Sequence, residues 1–200
     1  MSGRNVVIVA NGGANIASLQ FALDRLEAPS MLSADPDVIR SASHVILPGV
    51  GAAASAMARL RHLGLDSLIP ALKQPVLGIC LGMQLLFDSS QEGDTACLGI
   101  IPGCASRLPR ADDLPVPHMG WNTLDISRPC ALLEGVADGD YAYFVHSYAV
   151  DLGPATVAGA RYGRSFSACV QWGNFYGTQF HPERSAAVGA LLLDNFLSIH

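Results

Sequence analysis

Apolar residues recur along this chain in two rhythms. Asn5 to Ala10 carries a continuous apolar run, Val6-Val7-Ile8-Val9, as expected of a β-strand covered on both faces. The turn signal Asn11-Gly12-Gly13 ends it. Ile16, Leu19, Leu23 and Leu26 then fall at helical spacing, and Pro29 lies just beyond the predicted stop. Val45-Ile46-Leu47 reads as a second buried strand closed by Pro48-Gly49, and Ala53, Met57, Leu60 and Leu63 follow on one helical face. Pro75 to Ile79 reads as a third strand, with a helix predicted over Leu81 to Phe87. Strands alternating with helices predict a parallel sheet with helices on both faces.

The second half changes rhythm. Tyr141–Tyr148, Thr156–Tyr162, Phe166–Trp172 and Phe175–Phe180 read as short strands rich in β-branched and aromatic residues. Gly173-Asn174 between the last two suits a hairpin turn. A final helix carries Val188, Leu191, Leu192, Phe196 and Ile199 on one stripe. No repeat, low-complexity tract or linker divides the chain. The pattern predicts one α/β domain over residues 1–200, its sheet extended in the second half by mixed or antiparallel strands.

Composition narrows the function classes. Of 200 residues half are hydrophobic and only 14% charged, which excludes a disordered chain. Twelve Lys and Arg against 17 Asp and Glu give a net charge of −5, which argues against nucleic acid or an anionic membrane as partner. Five cysteines without a CxxC pair or a His/Cys ligand spacing argue against a disulfide framework and a metal site. The first apolar run is too short to span a bilayer and lacks a signal-peptide layout, so the expected location is the cytoplasm.

The sharpest chemical signal is Gly78-Ile79-Cys80-Leu81-Gly82, between a buried strand and a predicted helix. It has the form of a nucleophile elbow with Cys in the place of Ser. The glycines relieve crowding where strand turns into helix, and the helix N-terminus favours thiolate at Cys80. Cys97, Cys104, Cys130 and Cys169 lack such a setting and read as structural. A thiolate needs a base and an orienting group. Among six histidines, His44, His62 and His200 have bland surroundings, while His118 or His146 could face a site. His181 stands out because Pro182 pushes it toward an extended conformation, which would set Glu183 beside the imidazole. The plain alternative is a surface turn that happens to read His-Pro-Glu. Gly49-Val50-Gly51, with Ala54, also satisfies a dinucleotide pattern, though no strand-end acid stands at the expected distance. Unpaired N–H groups there would serve a phosphate or an oxyanion equally.

Gly78-Ile79-Cys80-Leu81-Gly82-Met83-Gln84 together with His181-Pro182-Glu183 resembles the class I (triad) glutamine amidotransferases. Pro48-Gly49-Val50-Gly51, Pro117-His118-Met119-Gly120-Trp121-Asn122 and Tyr143-Phe144-Val145-His146-Ser147-Tyr148 narrow the resemblance to the glutaminase subunits of imidazole glycerol phosphate synthase. The resemblance spans nearly the whole chain and implies a flavodoxin-like or Rossmann-like three-layer sandwich with the site at the strands' carboxyl ends.

It implies Cys80 as nucleophile, His181 as acid/base, Glu183 as its orienter, and an oxyanion hole from Gly49, Val50, Gly51 and the Leu81 N–H. Gly51, Gln84 and Glu92 would hold glutamine, with help from the backbone of His146, Ser147 and Tyr148. Glu92 would pair with the substrate's ammonium; its plain reading is a solvated loop acid. Trp121, Tyr143 and Arg184 would face a partner, although such aromatics more often lie in a core. That partner is a barrel-shaped cyclase subunit forming a heterodimer, and no metal or organic cofactor is implied. Two positions depart from the family's habit. Ala10-Asn11-Gly12 and Ala14-Asn15-Ile16 replace the usual Asp-Tyr-Gly and Gly-Asn-Leu, and Arg184 follows His-Pro-Glu where Lys is usual.

Overall fold

The computed structural model describes residues 5–12, 16–49, 51–110 and 114–200. In chain order the elements are β1 (Val6–Val9), α1 (Ile16–Asp24), β2 (Ser30–Ser33), α2 (Pro36–Ser41), β3 (His44–Gly49), α3 (Ala53–His62), α4 (Leu65–Leu68), β4 (Val76–Cys80), α5 (Leu81–Gln84), β5 (Phe87–Ser90), β6 (Thr95–Ala96), β7 (Ile101–Arg107), β8 (His118–Thr123), β9 (Asp125–Ile126), β10 (Tyr141–His146), β11 (Tyr148–Val150), β12 (Thr156–Tyr162), β13 (Arg164–Trp172), β14 (Phe175–Thr178) and α6 (Ala186–Ser198). Among the described residues no helix is long and apolar enough to cross a membrane.

An eight-stranded sheet in the order β2-β1-β3-β4-β14-β13-β12-β9 forms the centre. It is parallel from β2 through β14, then antiparallel outward, as the change of rhythm predicts. The period-2 pleat splits each apolar run between two cores. Val6 and Ile8 pack on one face with Leu23 of α1 and Phe196 of α6; Val7 and Val9 pack on the other with Met57 and Leu60 of α3. These two layers of helix around one sheet make the expected sandwich. A smaller sheet, β11-β7-β5-β6, and a two-stranded ribbon, β8–β10, stand beyond the carboxyl edge.

Several boundaries differ from the sequence reading. β2, a four-residue edge strand with Met31 and Leu32 exposed, lies before the strand read as second, and its Ser-Met-Leu-Ser sequence gives no apolar run. Pro48-Gly49 does not close β3 but belongs to it. The helix expected to Phe87 stops at Gln84, because Phe87 pairs with Ile101 in the smaller sheet. Tyr141–Tyr148 is two strands in two sheets, broken at Ser147. β5 to β9 gave no readable signal, being short or patterned without regular alternation. Of the altered stretches Ala10-Asn11-Gly12 and Ala14-Asn15-Ile16, residues 14 and 15 lie outside the described residues.

Three glycines let β3, β4 and α5 touch backbone to backbone. A Cβ on Gly82 would fall on the Leu47 carbonyl oxygen, and one on Gly49 would fall on the Gly82 amide. One on Gly78 would stand 2.7 Å from the Met83 amide nitrogen. The ribbon's inner face carries His118, Phe144 and His146 into the aromatic core. Burial pushes the pKa of His118 down to about 4 and that of His146 to about 3.

Two stability outcomes follow from this packing. Gly82→Ala should cost roughly 1–3 kcal/mol and several degrees of melting temperature, as forced overpacking does. Gly153→Ala, which meets nothing within 4 Å, should melt like the wild type. Because both buried histidines titrate below their ordinary 6.5, the unfolded chain binds more protons in that window. The share of stability set by these two histidines should therefore be full above about pH 6.5 and decline as pH falls toward 4. Urea midpoints should show that slope, and His146→Phe should make it shallower.

Candidate active site

β4 ends at Cys80, whose backbone φ of 53° and ψ of −111° lies outside the regions L-residues normally occupy. Such a conformation costs roughly 1–3 kcal/mol and persists only where its surroundings over-determine it, here the glycine contacts around α5. The side chain is buried at the carboxyl edge of the sheet. Its thiol donates toward the Val145 carbonyl at 3.6 Å, and the Gln179 side-chain amide donates to Sγ at 3.8 Å.

β14 pairs in parallel with β4 and delivers Gln179, Phe180 and His181 to the same edge. Backbone bonds clamp His181: its N–H donates to the Tyr143 carbonyl at 3.0 Å, and its carbonyl accepts the Ser185 hydroxyl at 2.7 Å. The Tyr143 N–H in turn donates to the Ser185 oxygen at 2.9 Å. His181 is extended, but Glu183 reaches it from a single 3-10 turn, Pro182–Arg184, and not from the continued strand that the sequence reading assumed. The pairing results all the same, with His181 Nδ1 2.9 Å from Glu183 Oε1 and both side chains nearly buried.

Burial alone would lower the imidazole's pKa. Hydrogen bonds and charge from Cys80 and Glu183 outweigh it and raise His181 to about 10. His181 therefore carries its second proton at neutral pH, beside the sulfur. The helix dipole invoked from the sequence adds little here, because α5 is one turn of four residues.

A cavity of about 310 Å³ opens over these groups. Gly49, Gly51, Leu81, Gln84, Glu92, Pro117 and Val145 to Tyr148 line it together with Cys80 and His181. Gly51 has φ +87°, a conformation that suits glycine, while Val50 lies outside the described residues. Gln84 is buried and donates to the Tyr148 carbonyl at 2.8 Å and to Gln179 Oε1 at 3.0 Å. The Ser147 carbonyl accepts the Leu108 N–H at 2.9 Å. Glu92 is no free loop acid: its Oε2 accepts the Ala53 N–H at 2.8 Å and caps α3, whose own cap residue Ala52 offers no acceptor. The dinucleotide pattern fails on this contact, because a carboxylate already occupies the helix start where a pyrophosphate would sit.

Trp121 and Tyr143 meet edge to face at 5.8 Å on the outer side of the ribbon, with Trp121 half exposed. The exposed Arg184 belongs to the turn packed against β10. Sequence reasoning missed Gln179 and Ser185. Gln179 stands two residues before His181, where an extended chain returns to the same face, and that polar residue ending an apolar strand was the available signal. A larger depression of about 520 Å³ around Arg128 and Cys130 has no comparable convergence. Arg128 there spends its guanidinium on the carbonyls of Thr156, Pro154, Ala155 and Gln171. Among the described residues no group of three or more His, Cys, Asp or Glu could hold a metal ion.

Comparison with known proteins identifies the family. The family model for glutamine amidotransferase class-I matches residues 13–199. The imidazole glycerol phosphate synthase subunit HisH 2 of Legionella pneumophila (strain Lens) is 50% identical over 194 residues, covering 97% of this chain and 98% of its own. HisH 1 of Vibrio vulnificus (strain YJ016) is 48% identical over 205 residues, covering all of both chains. The crystal structure of a putative GMP synthase component from Thermoplasma acidophilum shares the fold, with a TM-score of 0.75 at 17% identity over 99% of this chain and 94% of that one. A second solved glutamine amidotransferase aligns with a TM-score of 0.74 at 19% identity, over 96% and 97% of the two chains. The chain thus belongs to the class-I glutamine amidotransferases, in the branch of the HisH subunits of imidazole glycerol phosphate synthase.

Proposed function

We propose that this chain hydrolyses the side-chain amide of L-glutamine through Cys80, His181 and Glu183 and delivers the ammonia to a barrel-shaped cyclase subunit. The single observation that carries the reading is the charged His181, bonded to Glu183 and set beside a thiol on a strained elbow. The Cys80 thiolate attacks the amide carbon. Backbone N–H groups at Leu81 and along 49–51 receive the oxyanion as the carbonyl π bond opens. His181 then gives its proton to the nitrogen as the C–N bond breaks and ammonia leaves. Water attacks the glutamyl thioester, His181 takes a proton from it, and glutamate departs with the thiolate restored. Glu183 fixes the imidazole's tautomer and stabilises its charge.

Gln84, Glu92 and the backbone of His146 to Tyr148 frame the substrate, with the second oxygen of Glu92 for its ammonium. Trp121, Tyr143 and Arg184 form the partner face, an assignment their position on one outer surface supports. Ammonia consumed in the cyclase would complete imidazole glycerol phosphate together with an aminoimidazole carboxamide ribotide.

Glutamate release, measured with a cyclase subunit present, tests the assignment. Cys80→Ala should lower the rate by at least about a thousandfold, and retention of more would reject the nucleophile. Glu183→Gln should cost less than His181→Ala, since the amide still accepts the imidazole's hydrogen bond. In the wild type the imidazolium survives until pH approaches 10, so loss of the acid His181 should give an alkaline limb there. In Glu183→Gln the limb should move to lower pH, because one of the groups raising His181 is gone. An unmoved limb would separate Glu183 from His181.

A further inference from the structure

The mechanism uses neither His118 nor the side chain of His146, yet both are buried and bonded to each other. They are register partners across β8 and β10, with His118 Nδ1 3.1 Å from His146 Nε2. Protons on this chain of bonds can be placed. The Tyr148 carbonyl can only accept, so His146 donates to it from Nδ1 at 2.8 Å. Burial keeps His146 neutral, which makes its Nε2 an acceptor, so His118 donates from Nδ1. His118 Nε2 then accepts from the Asn122 amide, 3.5 Å away, and that amide also donates to the Arg161 carbonyl at 2.9 Å. Tyr162 and Phe144 stack on the two faces of the His118 ring, at 4.0 and 5.1 Å.

The chain ends where the pocket begins. The Tyr148 carbonyl that receives His146 also receives Gln84, and Gln84 bonds Gln179, which reaches Cys80. At its other end, β8 and β10 present Met119, Trp121 and Tyr141 to the outside. We propose that His118 and His146 are positioning residues: a neutral, singly oriented histidine pair that holds the Tyr148 carbonyl, and with it the glutamine pocket, in register with the outward-facing ribbon. The proposal rests on the glutaminase reading above. Neutrality is part of the device, since a charged His146 would repel the protonated His181 that the chemistry needs, and His181 and Arg164 both act on His146 in that sense.

Kinetics of glutamate release with a cyclase subunit present, together with nitrogen NMR of the wild type, test it. His146→Phe keeps the aromatic packing and removes both bonds; it should raise KM for glutamine about tenfold, the scale of one buried hydrogen bond, with kcat changed much less. His146→Asn keeps a donor near the position of Nδ1 and should recover most of that loss. His118→Phe should raise KM alone but add little to His146→Phe, because the bond chain is already cut. In the wild type both rings should appear as neutral Nδ1–H tautomers near pH 6. Unchanged KM in His146→Phe, equal damage from Asn and Phe, additive effects, or Nε2–H tautomers would each overturn the proposal. Should the Phe variants fail to fold, the tautomers decide. A wild type that releases no glutamate, or a Cys80→Ala variant that still does, would instead reject the glutaminase reading and leave the tautomer result standing.

Discussion

Backbone touching backbone at the carboxyl end of β3 and β4 is the contact on which the site depends. Gly49, Gly78 and Gly82 bring β3, β4 and α5 closer than any side chain would allow. That closeness holds Cys80 at a φ of 53° and aims its thiol away from the sheet. It also seats Gly49 against Leu81 and the Gly82 amide at the start of α5. The thiol and the strand end beside it are thus placed by the same three absent side chains.

Burial then decides opposite outcomes for three histidines within one region. No anion offsets the loss of water at His118 and His146, and His181 and Arg164 push His146 the same way, so both are driven to the uncharged form. His181 meets a carboxylate and a thiol, which more than offset the same loss. The difference lies in the partners and not in depth. Glu92 holds the start of α3 and lines the same cavity, so an imidazolium and a carboxylate both border it. A zwitterionic amino acid with an amide at its far end suits that polarity.

Much of this was legible in residues alone. Continuous apolar runs gave β1, β3 and β4, the hairpin at Gly173 gave β13 and β14, and the elbow glycines gave Cys80 its setting. What stayed hidden was set by distant partners. β2 is too polar to announce itself, and Phe87 leaves a helical pattern because Ile101 offers a strand to pair with. Glu183 was found by an extended-chain argument, although a 3-10 turn does the placing. Gln179 and the cap made by Glu92 depend on contacts between residues far apart in the chain, which no local periodicity encodes.

The pairing of β14 with β4 carries a consequence for biosynthesis. β4 lies in the middle of the finished sheet, but its neighbour on one side, β14, is the last strand to leave the ribosome. Until Phe175–Thr178 emerges, β4 is an open apolar edge, the kind of surface that recruits other chains. Contacts of such long sequence separation also slow folding. A nascent chain is therefore without its histidine and exposed along its nucleophile strand at the same time, so translation arrest or truncation before β14 should yield aggregation and never a stray glutaminase.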